Sequence, residues 1–197
     1  MKFLHVGCGA KTKTSTTAGF NSSHWEETRF DIDEGVAPDI IGSMIDMSNV
    51  GDESYDAIYS SHNIEHLYPH EIGLAFKEFL RVLKHDGFVF ITCPYLQSVC
   101  QLVAEDKLLE VAYHSRAGPI SAIDMLYGHR PSMQGGNLYM SHRSGFTERS
   151  LLNTARHYGF KSFVTLRREE YFDLFLLATK NEREEDELEE LADLHFP

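Results

Sequence analysis

The sequence predicts an α/β protein built on one doubly wound, mostly parallel seven-stranded sheet that ends in an antiparallel hairpin. A short apolar strand at residues 3–6 runs into two glycines, Gly7 and Gly9, a turn typical of nucleotide-type sites in open α/β sheets. Strand-like and helix-like patterns then alternate along the chain. The last two strands are separated only by a charged turn, which predicts a hairpin. A chain of 197 residues favours a single domain.

The first half of the chain is predicted to hold five strands and one helix. The polar stretch 11–19 has no 3.6-residue apolar period, so we expect a loop there, with a short turn near 23–25. The next strands are predicted at 28–33, 39–42 and 55–61. Pro69 opens an amphipathic helix, which Asp86 and Gly87 should end. The fifth strand is predicted at 88–92.

Residues 95–146 interrupt this rhythm. Two helices are predicted near 96–113 and 120–126, joined by residues 116–119, and an irregular run follows at 127–136. Long irregular segments inside compact domains are more often functional than idle. We therefore expect residues 95–146 to form a substrate cap inserted in a domain that spans residues 1–180.

The end of the chain is predicted to add a helix, the hairpin and a tail. Thr147 is a plausible cap for a helix through Tyr158, with Gly159 as its stop. Strands are predicted at 160–166 and 172–179. The acidic tail 181–197 has leucines three residues apart, which allows a weak amphipathic helix or a solvated extension.

Charge and cysteine content exclude several classes of protein. The net charge is −12, of which residues 181–197 carry −7, so there is no basic surface for nucleic acid. The three cysteines form no C-x-x-C pair, which argues against a disulfide framework and for a reducing compartment. No apolar run approaches a membrane span, and the strand-like start leaves no room for a signal peptide. We expect a cytoplasmic protein without membrane partners.

The glycine turn does not match the dinucleotide-binding fingerprint, because Thr12 stands where G-x-G-x-x-G needs its third glycine. The sequence instead resembles the class I S-adenosylmethionine-dependent methyltransferases over residues 2–93 and 142–180. The motifs that carry the resemblance are Gly7-Cys8-Gly9, Asp31 after the second strand, 54–58 leading to 61–67, 79–84 before Gly87, and Gly159-Phe160 before the hairpin. This resemblance implies a class I methyltransferase fold and S-adenosylmethionine as the cofactor.

The resemblance also implies positions for the parts of that cofactor. The cofactor-binding residues that it implies are Gly7, Cys8, Gly9, Lys11, Asp31, Ile32, Ser43, Met44, Ser60 and Ser61. Backbone N–H and C=O groups at the glycines would approach the methionine end, and Lys11 would face its carboxylate. Asp31 would accept from the ribose hydroxyls, with Asp33 as the competing choice. The Cys8 thiol needs no role of its own.

Two positions depart from the family pattern. Lys11 stands where many members have a further glycine, and Ser43 stands where many have an acid that binds the adenine amine. We therefore expect adenine to lie between Ile32 and residues 43–45, held by stacking and main-chain groups. Carbonyls near Ser60 and Ser61 would meet the ammonium group.

The candidate catalytic residues are His62, His129, Asp124 and Tyr127, with His142 as a further contributor. His62 or His129 is the expected base, because histidine titrates near neutral pH. No metal site is predicted: among the eleven histidines no H-x-x-x-H pair lies with an acid on a clear helix. For any one of these cap residues, hydrogen bonding to loop backbone is an equally good interpretation.

The predicted function is methyl transfer to an oxygen or nitrogen of a small molecule or glycan-type acceptor. Protein acceptors are not excluded. Two alternatives stay open: a non-catalytic S-adenosylmethionine-binding or scaffold protein of the same fold, and an NAD-dependent dehydrogenase, which the missing third glycine disfavours.

Overall fold

A seven-stranded sheet is the centre of the computed structural model, which describes residues 1–115 and 117–197. The strands of the described chain are β1 (Lys2–Val6), β2 (Glu26–Asp31), β3 (Ile40–Ile41), β4 (Tyr55–Ser61), β5 (Leu83–Pro94), β6 (Val111–Ser115), β7 (Gly118–Ser121), β8 (Ser162–Arg168) and β9 (Asp173–Thr179). The order in the sheet is β3-β2-β1-β4-β5-β9-β8, and β6 and β7 form a separate antiparallel pair. The first five strands run parallel, whereas β9 is antiparallel to both β5 and β8. The predicted fold class is confirmed.

Six α-helices accompany the strands in the described residues. They are α1 (Ile72–Val82), α2 (Leu96–Ala104), α3 (Ala122–Tyr127), α4 (Arg130–Gln134), α5 (Glu148–Tyr158) and α6 (Glu185–His195). The prediction for α5 is confirmed: the Thr147 hydroxyl accepts from the Ser150 N–H, and Gly159 ends the helix with φ +115°. No helix among the described residues is both long enough and apolar enough to cross a membrane.

Helix α1 starts later and ends earlier than the sequence predicts. It begins at Ile72 rather than Pro69, and it ends at Val82 because Leu83 already pairs with Tyr55 of β4. The register then shifts, so that Ala57 pairs with Phe88. The predicted stop at Asp86 and Gly87 therefore lies within an irregular part of β5.

The two faces of the sheet are covered differently. Helices α1 and α5 pack on one face through a large apolar cluster that includes Phe76, Phe79 and Leu151. The other face carries an aromatic cluster. Its members include Phe3, Phe20, Trp25, Tyr59, Phe88 and Phe90. As predicted, the stretch 11–19 forms no α-helix there, only a single 3-10 turn at Lys13–Ser15. Leu188 and Leu191 of α6 pack against this aromatic cluster instead.

The tail is thus a packed helix and not a solvated extension. The side chain of His195 is only 2% exposed, and its Nδ1 lies 2.8 Å from the Thr17 hydroxyl. The Gly19 N–H donates to the Leu194 carbonyl at 2.9 Å. Of the two alternatives that the leucine spacing left open, the structure shows the helix.

The segment 95–146 differs most from its prediction. The helix expected over 96–113 ends at Ala104, because Asp106 takes a left-handed conformation with φ +61°, and residues 111–115 form β6. The irregular run 127–136 contains the short helix α4, with Pro131 in its first turn. Arg116, in the predicted joint between two helices, lies outside the described residues.

Candidate functional site

A pocket of about 460 Å³ opens at the carboxyl ends of β1, β2 and β4. Ligands of open α/β sheets bind at this edge. The residues predicted to bind the cofactor that line the pocket are Gly7, Cys8, Gly9, Lys11, Asp31, Ile32, Ser43, Met44 and Ser61. His62 lines it as well. The volume falls within the range of pockets that enclose ligands of cofactor size.

Close packing against Asn63 shapes the glycine turn. Gly7 and Gly9 both have positive φ, +62° and +53°. A Cβ built on Gly7 would lie 2.1 Å from Asn63 Oδ1, whereas one built on Gly9 would meet nothing within 4 Å. Asn63 Nδ2 also donates to the Val6 carbonyl at 2.8 Å. Gly7 is therefore required by the protein itself, and Gly9 leaves open space on the pocket side.

The backbone amides of this turn are used inside the protein. The N–H groups of Gly7 and Cys8 donate to the Phe30 carbonyl at 2.8 and 3.3 Å, and the Gly9 N–H donates to Asp31 Oδ2 at 2.7 Å. These three N–H groups fasten the turn to the end of β2 and are therefore not free to donate to a ligand, so the predicted approach of main-chain groups to the cofactor stays a prediction. The Lys11 side chain, which lines the pocket, is left to contact a bound molecule.

Asp31 and Asp33 have different surroundings. Asp31 is 8% exposed, and its two oxygens accept the N–H groups of Gly9 and Asp33 at 2.7 and 2.9 Å. Each carboxylate oxygen has two lone pairs, so one on each oxygen is left for a ligand hydroxyl. Asp33 Oδ1 instead accepts from the Gly35 N–H and caps a 3-10 turn. Both carboxylates line the pocket, and Asp31 is the more buried and more firmly held of the two.

Arg29 fixes the same turn and was missed by the sequence analysis. Its guanidinium donates to the carbonyls of Gly9 and Lys11 at 2.6 and 3.1 Å, and to those of Val36 and Ala37 at 3.1 and 2.8 Å. It thereby ties the glycine turn to the loop after β2. An arginine inside a predicted strand, two residues before Asp31, was the available signal.

The other residues predicted to contact the cofactor differ in whether their side chains reach the pocket. The side chain of Ser60 is fully buried and does not line the pocket, whereas Ser61 does, with its hydroxyl 2.8 Å from that of Thr92. Burial raises the pKa of the Cys8 thiol to about 11, which agrees with a filling role for that side chain. Ile32 is 48% exposed and offers an apolar surface at the pocket.

His62 occupies a strained position directly after β4. Its φ is +55°, uncommon for a residue with a Cβ and characteristic of functional sites. Nδ1 lies 3.5 Å from Glu65 Oε1, and Nε2 lies 3.8 Å from Asp173 Oδ1. Burial by itself would lower the pKa of His62, but the two carboxylates outweigh it and raise that pKa. The side chain remains 43% exposed at the pocket.

The other three predicted catalytic residues do not line the pocket. Asp124 accepts from Arg130 Nε at 2.7 Å and from the Ser121 hydroxyl at 2.6 Å, inside the N-terminal cap of α3. Burial would raise the pKa of Asp124, yet these hydrogen bonds hold it far below its usual value. Tyr127 is 64% exposed. The structure thus gives Asp124 and Tyr127 no place at the pocket, and their catalytic roles stay predictions.

His129, the second candidate base, also lies away from the pocket. Its Nδ1 is 2.7 Å from the Ser132 hydroxyl at the start of α4. The irregular pattern of residues 127–136 concealed this short helix, so the position of the ring was not accessible from spacing.

Part of the cap does reach the pocket. The cap residues that line it are Asn137, Tyr139, Met140 and Arg143. Asn63, His66 and Glu71 line it from the segment that follows β4. None of these residues was among the predicted site residues. Which side chains of the two segments face the pocket is visible only in the folded chain.

Comparison with known proteins agrees with this geometry. Residues 4–91 match the family model described as a methyltransferase domain. Residues 4–91 therefore carry the domain that this model describes, and the fold is that of the class I methyltransferases. S-adenosylmethionine is the cofactor of this family, and the open lone pairs of Asp31 and the pocket-lining Lys11 and Ile32 fit such a molecule. No curated protein matches this methyltransferase significantly in sequence.

Solved structures of methyltransferases share the fold. An S-adenosylmethionine-dependent methyltransferase from Methanosarcina mazei has a TM-score of 0.60 at 16% identity, over 92% of this chain and 93% of that one. One from Thermotoga maritima has a TM-score of 0.58 at 14% identity, over 91% and 82%. A third, 1,6-didemethyltoxoflavin-N1-methyltransferase from Burkholderia thailandensis with bound S-adenosylhomocysteine, has a TM-score of 0.55 at 14% identity, over 92% and 71%. At these identities the likeness establishes the fold.

Proposed function

We propose that this methyltransferase transfers a methyl group from S-adenosylmethionine to an oxygen or nitrogen of a small-molecule or glycan-type acceptor. The observation that supports it best is the pocket at the carboxyl edge of the sheet, where the Asp31 carboxylate keeps one open lone pair on each oxygen. The net charge of −12 disfavours a nucleic-acid acceptor.

The cofactor end of the pocket is assigned from its lining. Asp31 accepts from the ribose hydroxyls, and the Lys11 ammonium faces the methionine carboxylate. Ile32 and Met44 provide apolar surface for the adenine ring. Because Ser43 offers no carboxylate, the adenine amine would donate to main-chain carbonyls. The carbonyl of Ser61, at the end of β4, is the predicted partner of the ammonium group.

The acceptor end is assigned to His62 and the inward-facing part of the cap. When bound, the cofactor supplies a methyl group activated by its sulfonium. The protein then has to align the acceptor atom and remove its proton where needed. His62 is the candidate base that lines the pocket, and Asn137, Tyr139 and Arg143 offer polar groups that orient a hydroxyl- or amine-bearing molecule.

Calorimetric titration with S-adenosylmethionine and S-adenosylhomocysteine tests the cofactor assignment. We expect both to bind the wild-type protein, and Asp31→Asn to weaken binding by about 10- to 100-fold because a charge-assisted acceptor is lost. Asp33→Asn is the matched control and should change affinity less than about threefold. Absence of heat with either molecule, or a larger effect at Asp33, would contradict the assignment.

An acceptor screen that detects release of S-adenosylhomocysteine tests the transfer itself. Turnover on a hydroxyl- or amine-bearing small molecule, and its loss in His62→Ala, is the expected result. Unchanged turnover in His62→Ala would show that His62 is not the base. Tight cofactor binding without turnover on any acceptor class would favour the alternative of a non-catalytic binding protein.

A further inference from the structure

Three side chains with metal-ligating atoms meet beside the pocket. One donor atom each of Glu65, His66 and His142 lies within 4.8 Å of the other two. Glu65 and His66 belong to the 3-10 turn Ile64–His66 that follows β4. The cap segment is fastened to this turn, since the N–H groups of Arg143 and Ser144 both donate to the Glu65 carbonyl, at 2.8 and 3.1 Å.

The Glu65 carboxylate is buried without a hydrogen-bond partner. Its side chain is 1% exposed, and neither of its oxygens accepts a hydrogen bond from the described residues. Buried polar groups are nearly always paired, and an isolated buried carboxylate is strongly unfavourable. His62 Nδ1, at 3.5 Å from Oε1, is too distant or misaligned to satisfy it. Glu65 thus has His62 as an ion-pair neighbour, but neither of its oxygens receives a hydrogen bond.

Each of the two histidines holds a backbone carbonyl with one ring nitrogen. His66 Nδ1 lies 3.0 Å from the Ser141 carbonyl, and His142 Nδ1 lies 2.8 Å from the Met125 carbonyl. A carbonyl only accepts, so Nδ1 carries the hydrogen in both rings and Nε2 holds the free lone pair of the neutral form. A histidine that binds a metal usually donates its other ring N–H to such a carbonyl.

We propose that Glu65, His66 and His142 bind one divalent transition-metal ion of the Zn²⁺ type. Two imidazoles and one carboxylate suit such an ion and leave a fourth position open. Ligands with bonds of about 2.1 Å stand about 3.4 Å apart in a tetrahedral site, so donor atoms near the 4.8 Å limit must move closer together on binding. His66 also lines the pocket, so the ion would stand at the pocket wall.

This inference goes beyond the proposed function and departs from the expectation of no metal. The sequence shows no pair of histidines with an acid on one clear helix. These ligands come instead from the turn after β4 and from a cap segment far along the chain, and two backbone hydrogen bonds join those segments.

Metal titration of untagged protein, stripped with a chelator and dialysed, tests the site. Co²⁺ should bind at about one equivalent and give the visible spectrum of a nitrogen and oxygen site, and Zn²⁺ should displace it. Glu65→Gln and His142→Ala should each weaken Co²⁺ affinity at least about tenfold. His157→Ala, which removes an exposed histidine of α5, is the matched control and should bind as the wild type does.

Folding of each variant is checked by circular dichroism and by S-adenosylhomocysteine binding. No Co²⁺ binding by the wild type, wild-type affinity in both ligand variants, or a thiolate charge-transfer band would each overturn the proposal. Because metal binding is read without an acceptor, its failure is distinct from failure of the proposed methyl transfer.

Discussion

At the scale of single residues, the glycine turn shows that one motif contains two different constraints. Gly7 faces the Asn63 side chain, whereas Gly9 faces open space. The sequence pattern treats the two positions alike. Their difference depends on Asn63, which is held after β4 by the neighbouring strand's Val6 carbonyl.

Substitution of each glycine by alanine separates these constraints. Gly9→Ala introduces only the left-handed strain, about 1–2 kcal/mol of unfolding free energy. Gly7→Ala adds a contact at 2.1 Å to the same strain and should cost clearly more, about 3 kcal/mol or above. Urea unfolding measures both values. Equal losses would show that Asn63 moves aside freely.

Arg29 is expected to act on cofactor binding through the turn that it holds. Arg29→Lys keeps the charge but cannot reach four carbonyls with one planar group. We expect the affinity for S-adenosylhomocysteine to fall several-fold, measured by calorimetry, with the circular dichroism spectrum unchanged. Arg149→Lys, at an exposed position of α5, is the control and should have no effect.

At the scale of elements, α6 takes the place that the stretch 11–19 leaves uncovered. Its last residue, His195, is packed against Phe20 and Phe88 with ring centroids 4.2 and 5.2 Å away. This burial lowers the pKa of His195 to about 4, from an ordinary value of 6.5. The free energy of unfolding should therefore depend on pH through His195.

The sign of this coupling follows from proton uptake by the unfolded chain. Above about pH 6.5 the ring is neutral in both the folded and the unfolded state, so its burial stabilises the fold in full. Between about pH 6.5 and about pH 4 only the unfolded state binds the proton, so stability falls with falling pH, by up to about 3 kcal/mol. Urea unfolding across this interval measures the loss. His195→Phe should flatten the dependence, and an unchanged slope would contradict it.

Asp124 is expected to stabilise the cap and not to react. Asp124→Asn removes the charge that pairs with Arg130, which is half exposed, so we expect a loss of about 1–3 kcal/mol in unfolding free energy. S-adenosylhomocysteine affinity should change less than about threefold, as calorimetry measures. A large loss of affinity with unchanged stability would restore the original prediction for this residue.

At the scale of the whole molecule, cofactor binding should stabilise the fold, because the pocket joins β1, β2, β4 and the cap. At a ligand concentration of about 100 times Kd, S-adenosylhomocysteine should add about 2.7 kcal/mol to the unfolding free energy. Thermal unfolding with and without ligand measures this. At the same ligand concentration Asp31→Asn should lose about half of the gain or more, and Asp124→Asn should keep most of it. The opposite ranking would place the ligand elsewhere.

Much of the fold could be predicted from patterns among residues close together in the sequence. The glycine turn, strand β4, the capped helix α5 and the final hairpin all follow from hydrophobic period and turn chemistry, which depend on neighbouring residues. The cap was less accessible, since β6 and α4 are short and are supported by contacts from distant segments.

The sequence by itself determined the sheet, the edge at which the pocket opens, and Asp31 and His62 as candidates, because strand ends are marked by local residue types. Only the tertiary structure decided that Asp124 and His129 turn away, that Arg29 and Asn63 shape the glycine turn, and that Glu65, His66 and His142 meet. Those outcomes depend on hydrogen bonds between segments far apart along the chain, and no local pattern encodes such bonds.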